Sequence, residues 1–221
     1  MQRVLVAGML VAGLCVWWGQ AGEKDKKADA KPAEATAKAD EAKAEAPKSE
    51  EKPAADESAA EKLAAESTAW ATETEKDVAK LTPQMVVEKV EEAAKLIEKD
   101  GPAAFAKMQG KGSAFIFAGT YIWVHDLDGV MHMHPIKHKM VGNRLLHLKD
   151  SKGKLFFVEM NTLAKKDGSG WVEYYWPKPG AKDPVVKASY VKLVKNGDKE
   201  YIVGCGVYDW TVEKVKETLK K

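Results

Sequence analysis

The chain has few cysteines and no long hydrophobic run beyond its first residues. Cys15 and Cys205 are the two cysteines, and Cys15 lies in the N-terminal apolar segment. The single thiol left in the rest of the chain cannot form an intramolecular disulfide, so the fold must be held by its core. Cys205 belongs to the apolar run YIVGCGVYDW with no histidine nearby in sequence, which predicts a buried side chain rather than a nucleophile.

The N-terminal segment has the features of a secretory signal peptide. Arg3 precedes the 15-residue apolar run Val4–Trp18, and Gly19-Gln20-Ala21 offers small residues for cleavage after Ala21. A membrane-spanning helix needs about 20 apolar residues, which disfavours the alternative of an uncleaved anchor. We therefore predict a signal peptide over residues 1–21 and a periplasmic or secreted protein.

Large apolar residues are almost absent from the segment that follows. Residues 22–66 contain no Val, Ile or aromatic side chain, and Leu63 is their one large apolar residue. Such a segment cannot bury enough apolar surface to offset the entropy of ordering, so we predict a disordered linker rich in Ala, Lys and Glu. Residues 67–81 are predicted as a helical extension of the domain that follows.

The charge is divided unevenly along the chain. Residues 22–80 carry 11 Lys and 16 Asp plus Glu, a net of −5, whereas residues 81–221 carry 23 Lys plus Arg and 17 Asp plus Glu, a net of +6. A scattered excess of this size does not indicate nucleic-acid binding. A basic domain of this kind does suit a small anionic ligand.

Residues 82–218 are predicted to form one α+β domain with an antiparallel five-stranded sheet. Thr82 and Pro83 fit the start of a helix, and Asn196-Gly197-Asp198 fits the turn of a hairpin. The predicted elements are a helix over 84–99, strands over 121–127 and 130–134, a helix over 154–166, strands over 171–176, 186–194 and 200–208, and a final helix over 211–219.

Polar-tipped aromatic residues share faces of the predicted strands. Tyr121, Trp123 and His125 alternate with apolar residues on the first strand, and Tyr174 and Trp176 share a face of the third. In a core without water, the polar tips of these side chains, together with Lys187 and His134, would need hydrogen-bond partners. They suit a walled cavity in which Lys187 and His134 neutralise a carboxylate through charge-assisted hydrogen bonds. The alternative, that most of these aromatic side chains are ordinary core, stays open.

Four runs resemble a known family: YIWVHDLDGVMHMHP (121–135), GWVEYYWPKPG (170–180), KASYVK (187–192) and YIVGCGVYD (201–209). Over about residues 82–218 the chain resembles the single Cache domain of bacterial chemoreceptors and histidine kinases. The resemblance implies a long N-terminal helix on a PAS-like sheet, no cofactor, and a pocket for short carboxylates in chemotaxis or other signal transduction. It implies ligand-binding residues at Tyr121, Trp123, His134, Tyr174, Trp176, Lys187 and Tyr190.

The chain departs from the usual architecture of that family. Most such domains lie between two membrane helices, whereas here only Lys220 and Lys221 follow the last predicted helix. We therefore expect a stand-alone domain that binds a small organic acid and presents it to a separate membrane receptor or transporter. A homodimer through the N-terminal helix is a further expectation of the resemblance.

Two other functions are alternatives to anion binding. His125, His132, His134 and His138 lie within 14 residues, and a Zn, Cu or Ni site at His132, His134 and His138 is the first alternative. A secreted enzyme of unknown class is the second. The sequence contains no GxSxG or HExxH motif, so we expect no catalytic activity.

Overall fold

The computed structural model describes residues 54–220, so the signal peptide and most of the linker lie outside the described residues. Helix α1 (Ala54–Thr74) is followed by a 3-10 segment (Glu75–Lys80) and by helix α2 (Pro83–Asp100). The Thr82 hydroxyl accepts a hydrogen bond from the Met85 backbone N–H, and Pro83 occupies the first turn of α2. This is the predicted start of α2, since both residues satisfy or avoid the unpaired N–H groups of a helix N-terminus.

Helix α1 begins earlier than the sequence predicted. Residues 54–66 were assigned to the disordered linker, but they are helical as far as they are described from Ala54 onward. The reason is tertiary packing: Ala64, Ser67 and Ala71 are buried, and the Ser67 hydroxyl accepts a hydrogen bond of 2.8 Å from the Gly110 backbone N–H. Small side chains permit this close approach, although they lack the large apolar residues that signal a buried helix face.

The strands form two antiparallel sheets. Strands β1 (Ile116–Phe117) and β2 (Thr120–Tyr121) pair in a short hairpin. The other five strands, in the spatial order β4-β3-β7-β6-β5, are β3 (Trp123–Asp126), β4 (Met131–Met133), β5 (Ser169–Pro177), β6 (Pro184–Asn196) and β7 (Lys199–Tyr208). The predicted α+β fold with a five-stranded antiparallel sheet is confirmed. The single strand predicted over 121–127 is divided, because Tyr121 pairs with Ile116 whereas Trp123 pairs with Gly204 in the large sheet.

The sheet separates two hydrophobic clusters. On one face, α2 and the C-terminal helix α4 (Val212–Leu219) cover a core that includes Val90, Val124 and Val203. On the other face, helix α3 (Phe156–Asp167) covers a second cluster that includes Trp123 and Phe156. The alternation predicted for the first strands is confirmed, and the candidate site lies on the α3 face.

None of the helices between residues 54 and 220 has the length and apolar character needed to cross a membrane.

Candidate functional site

A small cavity lies on the α3 face of the sheet, where β3, β5 and the segment after β4 approach α3. Five of the predicted ligand-binding residues line it together with four apolar residues: Tyr121, Trp123, His134, Tyr174 and Trp176, with Met131, Met140, Phe156 and Phe157. The enclosed space measures about 10 Å³, which is room for about one water molecule.

The walls of the cavity are mostly aromatic. The Phe156 ring is stacked on Tyr174 with 4.5 Å between centroids and 5° between planes, and Trp176 lies edge-on to Phe156 at 5.5 Å. Phe156 opens α3, directly after Leu155, so the first turn of the helix delivers its ring to the sheet. Offset aromatic contacts of this kind fix ring positions and give the cavity a defined shape.

Lys187 is buried against two of the rings that line the cavity. Its Nζ lies 4.5 Å from the Tyr121 ring centroid, 5.1 Å from that of Trp123 and 4.4 Å from that of Tyr208. The side chain is fully buried, and among residues 57–220 it forms no ion pair. Its hydrogen-bond partner is the Tyr208 hydroxyl, at 3.1 Å. Burial lowers the pKa of Lys187 to about 7 because the charged form loses its hydration.

Two glycines of β7 make room for these groups. A Cβ atom on Gly204 would lie 2.3 Å from Cζ2 of Trp123. A Cβ atom on Gly206 would lie 2.1 Å from the Ser189 hydroxyl and 3.0 Å from Cε of Lys187. Gly204 and Gly206 are therefore required at these positions for the close approach of their neighbours rather than for an unusual backbone conformation.

Hydrogen-bond donors outnumber acceptors around the cavity. The Tyr121 hydroxyl oxygen accepts from Trp176 Nε1 at 3.1 Å and from the Tyr208 hydroxyl at 3.4 Å. Its own proton then has no acceptor among the described residues. The buried Trp123 Nε1–H likewise has no partner in this part of the chain. Burial raises the pKa of Tyr121 to about 12, so its hydroxyl stays protonated and remains a donor at neutral pH.

His134 is a neutral donor rather than a cation. Its Nδ1 accepts hydrogen bonds from the backbone N–H groups of Ile136 and Lys137, at 3.2 and 3.1 Å. The proton of the neutral ring must therefore lie on Nε2. Burial holds the pKa of His134 well below its usual range, and the nearby Lys187 ammonium lowers it further. The expectation that His134 contributes positive charge to the site is wrong for this environment.

Tyr190 does not line the cavity. It follows Ser189 on β6 and lies on the opposite face of the sheet, where its ring packs against Trp171 with 5.5 Å between centroids. Its hydroxyl donates to the Ser169 hydroxyl at 2.8 Å. Including Tyr190 among the site residues was an error, because alternate residues of a strand point to opposite faces and Lys187 already occupies the cavity side.

The histidines of the alternative metal site have separate contacts. His132 Nε2 lies 2.7 Å from Asp126 Oδ2. His138 Nε2 lies 3.9 Å from Glu57 Oε1, beyond hydrogen-bond distance, and has no hydrogen-bond partner among the described residues. His125 is buried with Nε2 on the Asn161 side-chain oxygen at 2.9 Å, and burial lowers its pKa to about 4. Within the part of the chain that the structure describes, no three His, Cys, Asp or Glu side chains converge as metal ligands.

Tyr208 is the residue of the site that sequence reasoning missed. The hairpin pairs Asn196 with Lys199 and, counting outward, Lys187 with Tyr208. The Asn196-Gly197-Asp198 turn was recognised in the sequence, so extending its register along both strands would have found this pair. The rings of Phe156 and Phe157 carried no comparable signal, because contacts between a helix and a distant sheet leave no fixed spacing in sequence.

The Cache domain family model matches residues 71–221. A methyl-accepting chemotaxis protein, McpP of Pseudomonas putida, is 43% identical over 88 residues, which make up 40% of this chain and 16% of that protein; the matched stretch thus spans a small part of this relative.

A solved structure described as the structural basis for carboxylic acid recognition by a Cache chemosensory domain is 33% identical. The match covers 57% of this chain and 92% of that one, with a TM-score of 0.50. A periplasmic sensor domain of a chemotaxis protein is 30% identical, covers 63% and 97% of the two chains, and has a TM-score of 0.45.

Proposed function

Because this chain belongs to the Cache domain family, we propose that its sensor domain binds a short-chain carboxylate in the cavity between the sheet and α3. The domain acts outside the cytoplasm, and a separate membrane receptor or transporter reads the bound state. Binding is the whole of its chemistry, with no catalytic step.

The observation that carries this proposal is the buried ammonium of Lys187. A buried cation is normally paired with a carboxylate, yet no described residue supplies one to Lys187. The surrounding groups add donors rather than acceptors: the Tyr121 O–H and the Trp123 N–H have no acceptor among the described residues. A ligand that only accepts hydrogen bonds and carries one negative charge would satisfy the two free donors and balance the charge of Lys187, which lies behind the rings that line the cavity.

Each group then has a defined part in binding. Lys187 supplies the positive field behind the Tyr121 and Trp123 rings, and these two residues donate hydrogen bonds to the carboxylate. His134 donates from Nε2 as a neutral ring. The rings of Tyr174 and Trp176 pack against the short apolar part of the acid.

The size of the cavity favours a short acid over a long one. A space of about 10 Å³ between stacked rings holds about one water molecule, so a short acid requires a small rearrangement and a long chain a large one. The relatives agree with this chemistry: a Cache chemosensory domain that is 33% identical is described as recognising carboxylic acids.

Isothermal titration of the purified chain with acetate, propionate and butyrate tests the proposal, with acetamide as the uncharged analogue of acetate. We expect saturable binding of at least one acid and none of acetamide, because Lys187 and the free donors favour a charged acceptor. Failure of all three acids to bind would overturn the proposal. A thermal shift with Zn²⁺ that His132→Ala abolishes would favour the metal site instead.

A further inference from the structure

A second, larger cavity lies on the other side of the segment that closes the ligand cavity. It has a volume of about 130 Å³ and lies between α1 and residues 132–141. Ala60, Leu63 and Ala64 line it from α1, and Pro135 and Val141 line it from the other side. His134 borders both this α1 cavity and the ligand cavity. Residues 134–141, here named the His134 turn, therefore separate the two spaces.

A carboxylate ligand needs more space than the ligand cavity encloses. Acetate has four non-hydrogen atoms, whereas about 10 Å³ accommodates about one water molecule. One wall must therefore move when the acid binds. Trp123 and Tyr174 belong to strands held by ladder hydrogen bonds on the sheet, and Phe156 is stacked on Tyr174. These walls resist displacement, because moving them breaks the ladder or the ring stack.

The His134 turn is the wall that moves most easily. Pro135 follows His134 and has no N–H to donate to a ladder, so the sheet ends there. The hydrogen bonds that orient the His134 ring come from Ile136 and Lys137 of the same turn. The turn can therefore shift without losing them, pivoting at its C-terminal end, where Val141 forms a bridge with Met131 of β4. The α1 cavity lies directly beside the turn.

We infer that the His134 turn moves into the α1 cavity when the acid binds, and that Ala60 and Ala64 set the largest acid accepted by keeping this cavity open. This inference rests on the proposed function. Small side chains at these two positions leave room for the turn, because a larger residue at either position would fill the space into which the turn moves. Ala60 and Ala64 do not touch the acid; they determine its size limit through the turn.

A matched pair of substitutions on α1 tests this inference. Ala60→Leu fills the α1 cavity, whereas Ala59→Leu places the same side chain at the neighbouring exposed position. Titration of each full-length variant with acetate, propionate, butyrate and pentanoate gives the ratio of affinities for the longest and shortest acids that the unsubstituted chain binds. We expect Ala60→Leu to lower this ratio at least tenfold and Ala59→Leu to leave it unchanged.

A substitution that enlarges the α1 cavity provides a second test, which applies even if the Ala60→Leu variant does not fold. Leu63→Ala enlarges the α1 cavity, so we expect it to raise the relative affinity for the longest acid. A ratio that neither Ala60→Leu nor Leu63→Ala alters overturns the inference while leaving the proposed function intact. If the unsubstituted chain binds none of the acids, the proposed function fails and the inference falls with it.

Discussion

Lys187 and Tyr208 lie directly opposite each other on the neighbouring strands β6 and β7, and the Lys187 ammonium donates a 3.1 Å hydrogen bond to the Tyr208 hydroxyl. The pair places a positive charge in the interior with an uncharged partner. A phenol oxygen satisfies one N–H of the ammonium but does not balance its charge. The buried ammonium therefore has no charged partner among the described residues, which leads to the predictions below.

Replacing Lys187 by Met should abolish acid binding without unfolding the domain. Loss of the cation removes the partner of a buried carboxylate, a change that costs about 3 kcal/mol or more and corresponds to an affinity loss of about 100-fold. Met has a similar length and no charge to bury, so the melting temperature should stay the same or rise. Titration calorimetry and thermal melts measure both effects.

Lys192→Met is the control for that substitution. Lys192 lies on the same strand but pairs with Glu91 at 2.8 Å, on the α2 side of the sheet. We expect this variant to keep its affinity for the acid. Equal affinity of the Lys187→Met protein and the unsubstituted chain would remove Lys187 from the site.

The stability of the ligand-free domain and its affinity for the acid should change in opposite directions above pH 7. Burial lowers the pKa of Lys187 to about 7 from 10.5 in the unfolded chain, so between these values the unfolded state binds more protons. The free energy of unfolding should therefore increase as the pH rises from about 7 toward 9. Over the same range the affinity should decrease, because Lys187 loses the charge that attracts the carboxylate.

Thermal melts and titrations at pH 6.5 to 8.5 measure these two slopes. The range stops below the pH at which the Cys205 thiol and the tyrosines ionise in the unfolded chain. Burial raises the pKa of Cys205 to about 11 and that of Tyr121 to about 12, so both groups oppose the stability increase at higher pH. The stability slope should become smaller in Lys187→Met. An affinity that stays constant across the range in the unsubstituted chain would contradict a charged Lys187 in the complex.

Gly204→Ala should damage the site through Trp123. The added Cβ lies 2.3 Å from the indole, so Trp123 must move and its free N–H is displaced from the cavity. We expect a loss of about 1–3 kcal/mol in the free energy of unfolding, as for other overpacked interiors, together with loss of acid binding. Cys205→Ala is the matched control: Cys205 is the next residue of β7 and faces the opposite core, so affinity should be retained. If Gly204→Ala binds the acid with unchanged affinity, the position of Trp123 is unimportant for binding.

Two Tyr→Phe substitutions compare the proposed site with the opposite face of the sheet. Tyr208→Phe removes the acceptor of Lys187, and hydrogen bonds to charged groups contribute about 1.5–3 kcal/mol, so we expect the affinity to fall about tenfold or more. Tyr190→Phe removes a hydrogen bond to Ser169 on the opposite face and should leave affinity within about twofold of its original value. The reverse order of effects would restore Tyr190 to the site.

Several features of the fold followed from local patterns in the sequence. The family predicted from the four runs is confirmed, as is the antiparallel α+β architecture. As predicted, Tyr121 and Trp123 lie on one face of the sheet, and Ile122 and Val124 lie on the other. This alternation follows from the two-residue period of a strand, which is a property of the backbone. The same period, applied consistently, excludes Tyr190 from the face that carries Lys187.

Other features depended on contacts between distant segments. The sequence did not predict that α1 starts at Ala54. Alanine and charged residues are compatible with both a helix and a solvated linker, and the helix is stabilised by distant contacts such as the hydrogen bond between Gly110 and Ser67. The neutral state of His134 was missed for a related reason: its pKa depends on burial and on Lys187, which is 53 positions away in the chain.

Residue types and their alternation along each strand were enough to identify an aromatic, donor-rich face with one lysine, because both are local properties of the chain. The neutral partner of that lysine, the gap left by Gly204 and Gly206, and the volumes on the two sides of His134 were decided by tertiary structure alone. Each of these is a distance between segments far apart in sequence, and such distances are set by strand register and by the packing of helices on the sheet.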